Sequence, residues 1–310
     1  MKRILACLLV ILMVLSGLCS CAERGEEGGE LLVICTSFSW YDWAREIVGE
    51  SEGVTLRLLT DGGKDMHSYT PSAADMMAIL SCDLLVYGGG VSEVWIGELA
   101  KEGKLRAPLS LMEVLGEDVK CLTEHEHGEG EAHVHSDVDE HIWLSLRNAV
   151  RFCESIKDAL CRLDEANAEI YEKNCAAYTQ RLTALDGAFA ALVERAERDE
   201  VVVADRYPYR YLFEDHGIVC HAAFEGCSTE SEAGITRVIE LSETFAALAP
   251  EGILVTETSD GRLAKTVLEN ASSEAEILVL HSLQTVADSA AVSYLSLMEE
   301  NLRVLEKVLG

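Results

Sequence analysis

Histidine and acidic side chains stand at the ends of several predicted strands of this 310-residue chain, and together they predict a metal site. His281 directly follows the apolar run EILVL, and Asp205 closes the run VVVAD. His67 lies in the turn GGKDMHSYTPS, and His141 lies in DEHIWLSL, before a helical stretch. Because ligands of doubly wound sheets sit beyond the carboxyl ends of the strands, we expect these four side chains to meet in one cleft. Three imidazoles and one carboxylate suit Zn²⁺, which prefers four nitrogen, sulfur or oxygen donors.

Each of these positions also has an ordinary structural explanation. A single histidine is often a hydrogen-bonded structural residue, and Asp205 can cap a helix that starts near Pro208. Glu257 ends the run ILVTE and is either a reserve ligand or an outer-sphere partner that orients a ligand. The prediction is therefore the convergence of the four side chains, not the role of any single one.

A second group of histidines lies within residues 124–141, whose sequence is EHEHGEGEAHVHSDVDEH. This segment holds five of the nine histidines of the chain together with seven acidic residues. Its H-x-H pairs, separated by glycines, are typical of a loop that captures cations loosely; the alternative is a solvated acidic insertion. We expect Zn²⁺ to bind here at low occupancy and to pass to the deeper site. The histidines concerned are His125, His127, His133 and His135.

The composition excludes several classes of function. With 54 acidic and 25 basic residues the formal net charge is −29, and such a surface repels the phosphate backbone of nucleic acids. The sequence contains no H-E-x-x-H, no G-x-S-x-G and no G-x-x-x-x-G-K-[ST], so it lacks the signatures of the zincin peptidases, the α/β-hydrolases and the P-loop ATPases. Any ATPase that works with this protein must therefore be a separate chain.

The first thirty residues predict export and a lipid anchor. A basic start and an apolar run at residues 4–15 are typical of a signal peptide, which we assign to residues 1–20. The stretch LCSC at residues 18–21 resembles a lipobox, with Cys21 as the lipid-bearing first residue of the mature chain. The alternative is an ordinary secretory signal that is cut nearby. Residues 21–30 are interpreted as a tether, and either reading puts the protein outside the cytoplasmic membrane.

Short apolar runs alternate with amphipathic segments along the rest of the chain. This order predicts an α/β fold of two lobes, each with a four-stranded, mainly parallel sheet flanked by helices. We assign the lobes to residues 31–163 and 199–310. The predicted strands are residues 31–36, 54–59, 83–87 and 119–122, followed by 201–205, 218–224, 253–257 and 277–280.

Between the lobes, residues 164–198 contain no proline and a single glycine. As one helix they would extend about 50 Å, which is long enough to join two small lobes rigidly. The alternative is two ordinary helices with a break near Asp164.

Most of the eight cysteines that follow residue 21 lie on apolar or helical patterns and predict buried thiols. Cys220 and Cys227 are the best candidates for a disulfide, if one forms.

Two motifs give the chain a family resemblance. Residues 67–72 (HSYTPS) match H-x-Y-x-P-[ST], and residues 139–144 (DEHIWL) match D-P-H-x-W-L with Glu140 in place of proline. Over residues 31–310 the chain resembles the metal-specific substrate-binding lipoproteins of bacterial ABC importers, a zinc- and manganese-binding group. The resemblance implies one metal held between two α/β lobes that a long rigid helix joins.

The resemblance also implies a ligand set and a function. His67 and His141 stand at the first two ligand positions, Asp205 stands at the third, and His281 stands at the fourth. Nitrogen-rich donors favour Zn²⁺ over Mn²⁺, which stays the alternative metal. We expect a monomer without catalytic activity that captures Zn²⁺ and delivers it to a membrane permease. The other readings are a zinc-dependent hydrolase and a surface adhesin or metal buffer.

Zinc affinity should fall in acid, because imidazole must lose its proton to bind a metal and a free histidine has a pKa of about 6.5. Titration with Zn²⁺ at about pH 7.5 and about pH 5.5 measures this difference. Equal affinity at both values would exclude a site dominated by histidine.

Overall fold

The structure is a computed structural model that describes residues 30–121, 138–224 and 234–310. The predicted signal peptide at residues 1–20, Cys21 and the tether up to residue 29 lie outside the described residues. So do the four histidines of the His-rich loop (125, 127, 133 and 135) and Cys227.

The first sheet is parallel, with the strand order β2-β1-β3-β4. Its strands are β1 (Leu31–Cys35), β2 (Val54–Leu58), β3 (Leu84–Tyr87) and β4 (Pro108–Ser110). The accompanying helices are α1 (Phe38–Val48), α2 (Ala73–Ser81), α3 (Val94–Lys101) and α4 (Leu111–Leu115). Successive residues of β3 enter two different hydrophobic cores, because both faces of the sheet are covered. This explains why the strand is an uninterrupted apolar run.

The prediction of a strand at residues 119–122 is wrong. In this segment the structure shows one isolated antiparallel bridge, between Cys121 and Val138. The fourth strand is β4, which pairs with β3 and has only three residues. It begins with Pro108, which has no N–H to donate and is tolerated at a sheet edge. So short a strand carries no alternation that a sequence pattern could reveal.

The second sheet repeats the plan in the order β6-β5-β7-β8, again with parallel strands throughout. Its strands are β5 (Glu200–Val203), β6 (Val219–Ala222), β7 (Gly252–Val255) and β8 (Glu276–Val279). The helices are α7 (Arg210–His216), α8 (Ile235–Leu248), α9 (Arg262–Asn270) and α10 (Tyr294–Leu309). The predicted two-sheet α/β architecture is confirmed.

Two helices stand between the sheets, α5 (Leu146–Leu163) and α6 (Ala168–Arg195). The chain breaks between them at Asp164, whose carboxylate accepts hydrogen bonds from the Tyr171 hydroxyl (2.6 Å) and the Asn167 amide (2.8 Å). The long helix therefore starts four residues later than predicted, and its 28 residues extend about 42 Å. Residues 31–310 form one compact unit, so the boundaries assigned to the lobes stay a prediction.

One hydrophobic core is shared by both sheets. It contains Val33 of β1 and Val203 of β5, together with the buried faces of α5, α6 and α10. At its centre the Trp143 indole nitrogen donates to the Ser282 carbonyl (2.8 Å), and the Tyr294 hydroxyl donates to the Trp143 carbonyl (2.6 Å). These two bonds join the segment that carries His141 to the loop after β8 and to the start of α10.

None of the helices in the described ranges is both long and apolar enough to cross a membrane. The seven described cysteines are free thiols, and burial raises the pKa of several of them, Cys35 and Cys153 among them.

The hydroxyl of Tyr294 should contribute measurably to stability. Its replacement by phenylalanine should lower the free energy of unfolding by about 1–3 kcal/mol, because the buried Trp143 carbonyl then loses this donor. The control is Tyr178→Phe, since the Tyr178 hydroxyl is buried and has no hydrogen-bond partner among the described residues. That change should leave stability unchanged or raise it. Urea denaturation followed by circular dichroism measures both, and equal effects would contradict the prediction.

Candidate metal centre

His67 and His141 come together at one end of the first sheet, with ring centroids 5.6 Å apart. His67 lies in the loop between β2 and α2, where its backbone N–H donates to the Asp65 carboxylate (2.9 Å). On the other side of its ring, Nδ1 lies 2.8 Å from the Ser92 hydroxyl oxygen. The structure thus brings the first two predicted ligands into one site.

The imidazole of His141 is fixed by a buried carboxylate. Asp139 Oδ1 accepts hydrogen bonds from the backbone N–H of His141 (2.9 Å) and from its Nδ1 (2.6 Å). Both residues are almost fully buried, with exposed fractions of 1% for Asp139 and 2% for His141. Because Nδ1 carries the proton in this bond, Nε2 keeps a lone pair, which is what a metal ion requires.

The side-chain amide of Gln284 bridges the two imidazoles. Its nitrogen lies 2.7 Å from Nε2 of His67 and 2.7 Å from Nε2 of His141. An amide nitrogen carries two hydrogens and no lone pair to accept with, so both Nε2 atoms act as acceptors. It follows that His67 also holds its proton on Nδ1, which donates to Ser92. The amide nitrogen therefore stands where a cation would satisfy the same two lone pairs.

The loop after β8 holds Gln284 through several hydrogen bonds. The Glu257 carboxylate accepts from the Ser282 N–H (2.8 Å) and hydroxyl (2.7 Å), so Glu257 supports the site through the loop. Leu283 is buried and adopts a left-handed backbone (φ 60°), a conformation that costs a non-glycine residue about 1–2 kcal/mol. The chain turns at this residue, immediately before Gln284.

Helix α1 forms hydrogen bonds with the far end of the loop after β8. Arg45 donates to the carbonyl oxygens of Ser289 (2.8 Å) and Val292 (3.0 Å), and it pairs with Asp42. The buried Asp42 carboxylate accepts the N–H of Tyr294 (2.7 Å), at the start of α10. Burial raises the pKa of this carboxyl, and the Tyr294 N–H and Arg45 oppose the rise. The Gln284 loop is therefore tied to helix α1, which directly follows the first strand of the first sheet.

The other two predicted ligands do not join the site. Asp205 Oδ2 accepts from the N–H (3.1 Å) and hydroxyl (2.8 Å) of Thr256, across the carboxyl ends of β5 and β7. The His281 imidazole pairs with Glu300 of α10, with its Nε2 3.0 Å from the carboxylate. Within the described ranges, no three His, Cys, Asp or Glu side chains surround a single point. The expected meeting of four ligands is thus observed for two of them.

Two residues of this site were missed by reasoning from the sequence, Asp139 and Gln284. The position of Asp139, two residues before a predicted ligand in the D-x-H segment, is a signal that could have found it. Gln284 follows β8 by only five residues, which fits a ligand placed beyond the carboxyl end of a strand. His281 lies nearer to the strand end and fits the same expectation, so it was chosen instead. Glutamine is also not among the usual ligands of zinc, so its residue type gave no signal.

Most of the chain matches a known protein family. Residues 33–308 match the family described as "ZnuA: Zinc-uptake complex component A periplasmic". The chain belongs to the ZnuA family. Family membership confirms the resemblance drawn from the two histidine motifs.

Among similar proteins of this family is the zinc-binding lipoprotein AdcA of Streptococcus pneumoniae, which is 30% identical over 308 residues. The match covers 96% of this chain and 60% of AdcA, so the chain spans about three fifths of that relative's length. The metal ABC transporter substrate-binding lipoprotein FimA of Streptococcus parasanguinis is 27% identical, with 97% of each chain covered.

A solved structure extends the likeness to three dimensions. The Zn(II)-bound ZnuA-like domain of S. pneumoniae AdcA superimposes with a TM-score of 0.72 and 27% identity. The match covers 91% of this chain and 99% of that domain.

The Asp139 carboxylate should strengthen metal binding without touching the metal. Asp139→Asn removes the negative charge that holds the Nδ1 proton of His141, so zinc affinity should fall about 10–100-fold. Competition with a chromogenic chelator measures this. The matched control is Asp186→Asn, which alters another Asp–His pair, with His216 at 3.3 Å, and should leave zinc affinity unchanged. Wild-type affinity in Asp139→Asn would contradict the prediction.

Proposed function

We propose that this protein captures Zn²⁺ at the centre formed by His67 and His141 and delivers it to the permease of an ABC importer. In this role it binds and releases its cargo and catalyses no reaction. The observation that carries the proposal is the convergence of two imidazole lone pairs on one atom, the amide nitrogen of Gln284, at 2.7 Å from each. Two neutral imidazoles held in this way are a chelating pair for a borderline cation such as Zn²⁺.

The ligands that we assign are Nε2 of His67, Nε2 of His141 and the amide oxygen of Gln284. For the oxygen to bind, the Gln284 amide must rotate by half a turn, which replaces its two N–H donors with an acceptor, and must also withdraw from between the two rings so that the cation takes the place of the nitrogen. Asp205 and His281 are not included in this ligand set. The Asp205 carboxylate accepts hydrogen bonds from Thr256, and the His281 imidazole pairs with Glu300. Nitrogen still dominates the set, and this supports zinc over manganese.

The names of the relatives support the transport role. AdcA is called a zinc-binding lipoprotein, and FimA is called a metal ABC transporter substrate-binding lipoprotein. For this chain we propose a lipid on Cys21 that anchors it outside the cytoplasmic membrane, a monomeric state, and a permease whose ATPase is a separate subunit. We also propose that the histidines of residues 124–135 collect Zn²⁺ loosely and pass it to the deeper centre.

The acidity of the chain supports a cationic cargo. A formal net charge of −29 raises the local concentration of cations and speeds their capture, and it opposes binding to nucleic acid. The hydrolase and adhesin readings gain no support from a specific contact of the described residues. A hydrolase would need an open coordination position with a bound water and a nearby general base.

Alanine substitutions test the assigned ligands. His67→Ala and His141→Ala should each lower zinc affinity more than about 100-fold, since changes outside the coordination sphere alone cost about 10–100-fold. Gln284→Ala should cost less, because it removes a neutral oxygen. Asp205→Ala and His281→Ala should retain tight binding. The measurement is chelator competition, combined with metal analysis of the purified proteins.

The control for these substitutions is His221→Ala, which removes an imidazole that pairs with Glu200 across β5 and β6. Tight zinc binding by the His67→Ala, His141→Ala double variant would refute the proposed centre. Loss of tight binding in Asp205→Ala or His281→Ala, with the fold intact, would restore the ligand set expected from the sequence.

A further inference from the structure

Glu140 stands next to His141 in the sequence but faces a different part of the molecule. Its carboxylate accepts the backbone N–H of Ser92, with the two oxygens 3.1 and 3.2 Å from the nitrogen. The Ser92 hydroxyl oxygen in turn lies 2.8 Å from Nδ1 of His67. A chain of two hydrogen bonds thus runs from the residue beside one histidine to the ring of the other.

The contact between Glu140 and the Ser92 turn is close-packed. A Cβ atom added at Gly90 would lie 2.5 Å from Cγ, 2.6 Å from Oε2 and 2.7 Å from Cδ of Glu140. Gly90 has an ordinary backbone conformation (φ −81°), so the glycine is required by this approach and not by a special dihedral angle. The Glu140 side chain therefore packs directly against Gly90, where a larger residue would not fit.

We propose that Glu140 is a positioning residue that couples the two histidine segments of the metal centre, acting on His67 through Ser92. This inference rests on the proposed function. Glu140 holds the backbone of Ser92, and this keeps the Ser92 hydroxyl in place as the acceptor for Nδ1–H of His67. The Nε2 of His67 is then left with its lone pair directed at the cation position.

The link gives the two imidazoles matching supports from one short segment. Asp139, two residues before His141, fixes the tautomer of His141 directly. Glu140, one residue before His141, fixes the tautomer of His67 indirectly, through Ser92. Displacement of residues 139–140 would therefore disturb both ligands together, although His67 lies more than seventy positions away in the sequence.

The test is a double-mutant cycle between Glu140 and Ser92, with zinc affinity measured by chelator competition on the full mature chain. Glu140→Ala and Ser92→Ala should each weaken binding by about 10-fold, the low end for outer-sphere changes. The double variant should bind no more weakly than the weaker single variant, because both changes break one chain of contacts. Glu140→Gln keeps an acceptor oxygen and should recover most of the loss.

A second readout does not depend on metal. In the metal-free protein, imidazole ¹⁵N chemical shifts report which ring nitrogen carries the proton. Glu140→Ala should shift the tautomer balance of His67 and leave that of His141 unchanged, an effect that general loosening of the fold would not produce. The charge control is Glu98→Ala, which removes an exposed carboxylate from α3 and should change neither the affinity nor the His67 signal.

The outcomes separate this proposal from the function on which it rests. Two outcomes would overturn the coupling and leave zinc capture intact. In one, the losses of affinity of the two single variants multiply in the double variant. In the other, Glu140→Ala keeps the wild-type zinc affinity and an unchanged His67 signal. Wild-type zinc affinity in His67→Ala would overturn the proposed function itself, and the coupling with it.

Discussion

The constraint on which the proposed metal centre depends is which ring nitrogen of each imidazole carries the proton. A histidine binds a metal through a nitrogen that carries no proton, so something must keep the proton on the other nitrogen. For His141 this is the buried Asp139 carboxylate, and for His67 it is the Ser92 hydroxyl. Both Nε2 atoms then face the same amide nitrogen of Gln284, so the two imidazoles that we propose as ligands already converge on one point.

Much of the surrounding structure fixes this pair in place. The two histidines belong to the first sheet's side of the molecule, and Gln284 arrives from the loop after β8 of the second sheet. Trp143 holds that loop through the Ser282 carbonyl, and Arg45 holds its far end. Since these contacts are buried or partly buried, the histidine segments and the Gln284 loop are joined through the shared core and not only at the surface.

The chemistry of the third position follows from the amide of Gln284. The two N–H groups of this amide donate to the lone pairs of both Nε2 atoms, and a hydrogen bond of this kind matters most at the buried His141. A neutral amide adds no charge to a bound cation, unlike a carboxylate. The negative charges on Asp139 and Glu140 instead act through the groups that orient the imidazoles. Such an arrangement suits the capture and release of a cation that we propose for this chain.

The sequence by itself determined the parts of this protein that rest on local pattern. Apolar runs and their spacing were sufficient for seven of the eight strands and for the two-sheet architecture, because buried parallel strands leave an uninterrupted apolar signature. Two short motifs were sufficient for His67 and His141. The tertiary structure decided the rest. Whether Asp205, His281 or Gln284 reaches the centre depends on how the chain turns beyond the strand ends, and the left-handed turn at Leu283 is not encoded by its residue type. Side-chain direction after a strand is set by contacts from distant segments, such as Glu300 on His281 and Thr256 on Asp205, and no local pattern records those contacts.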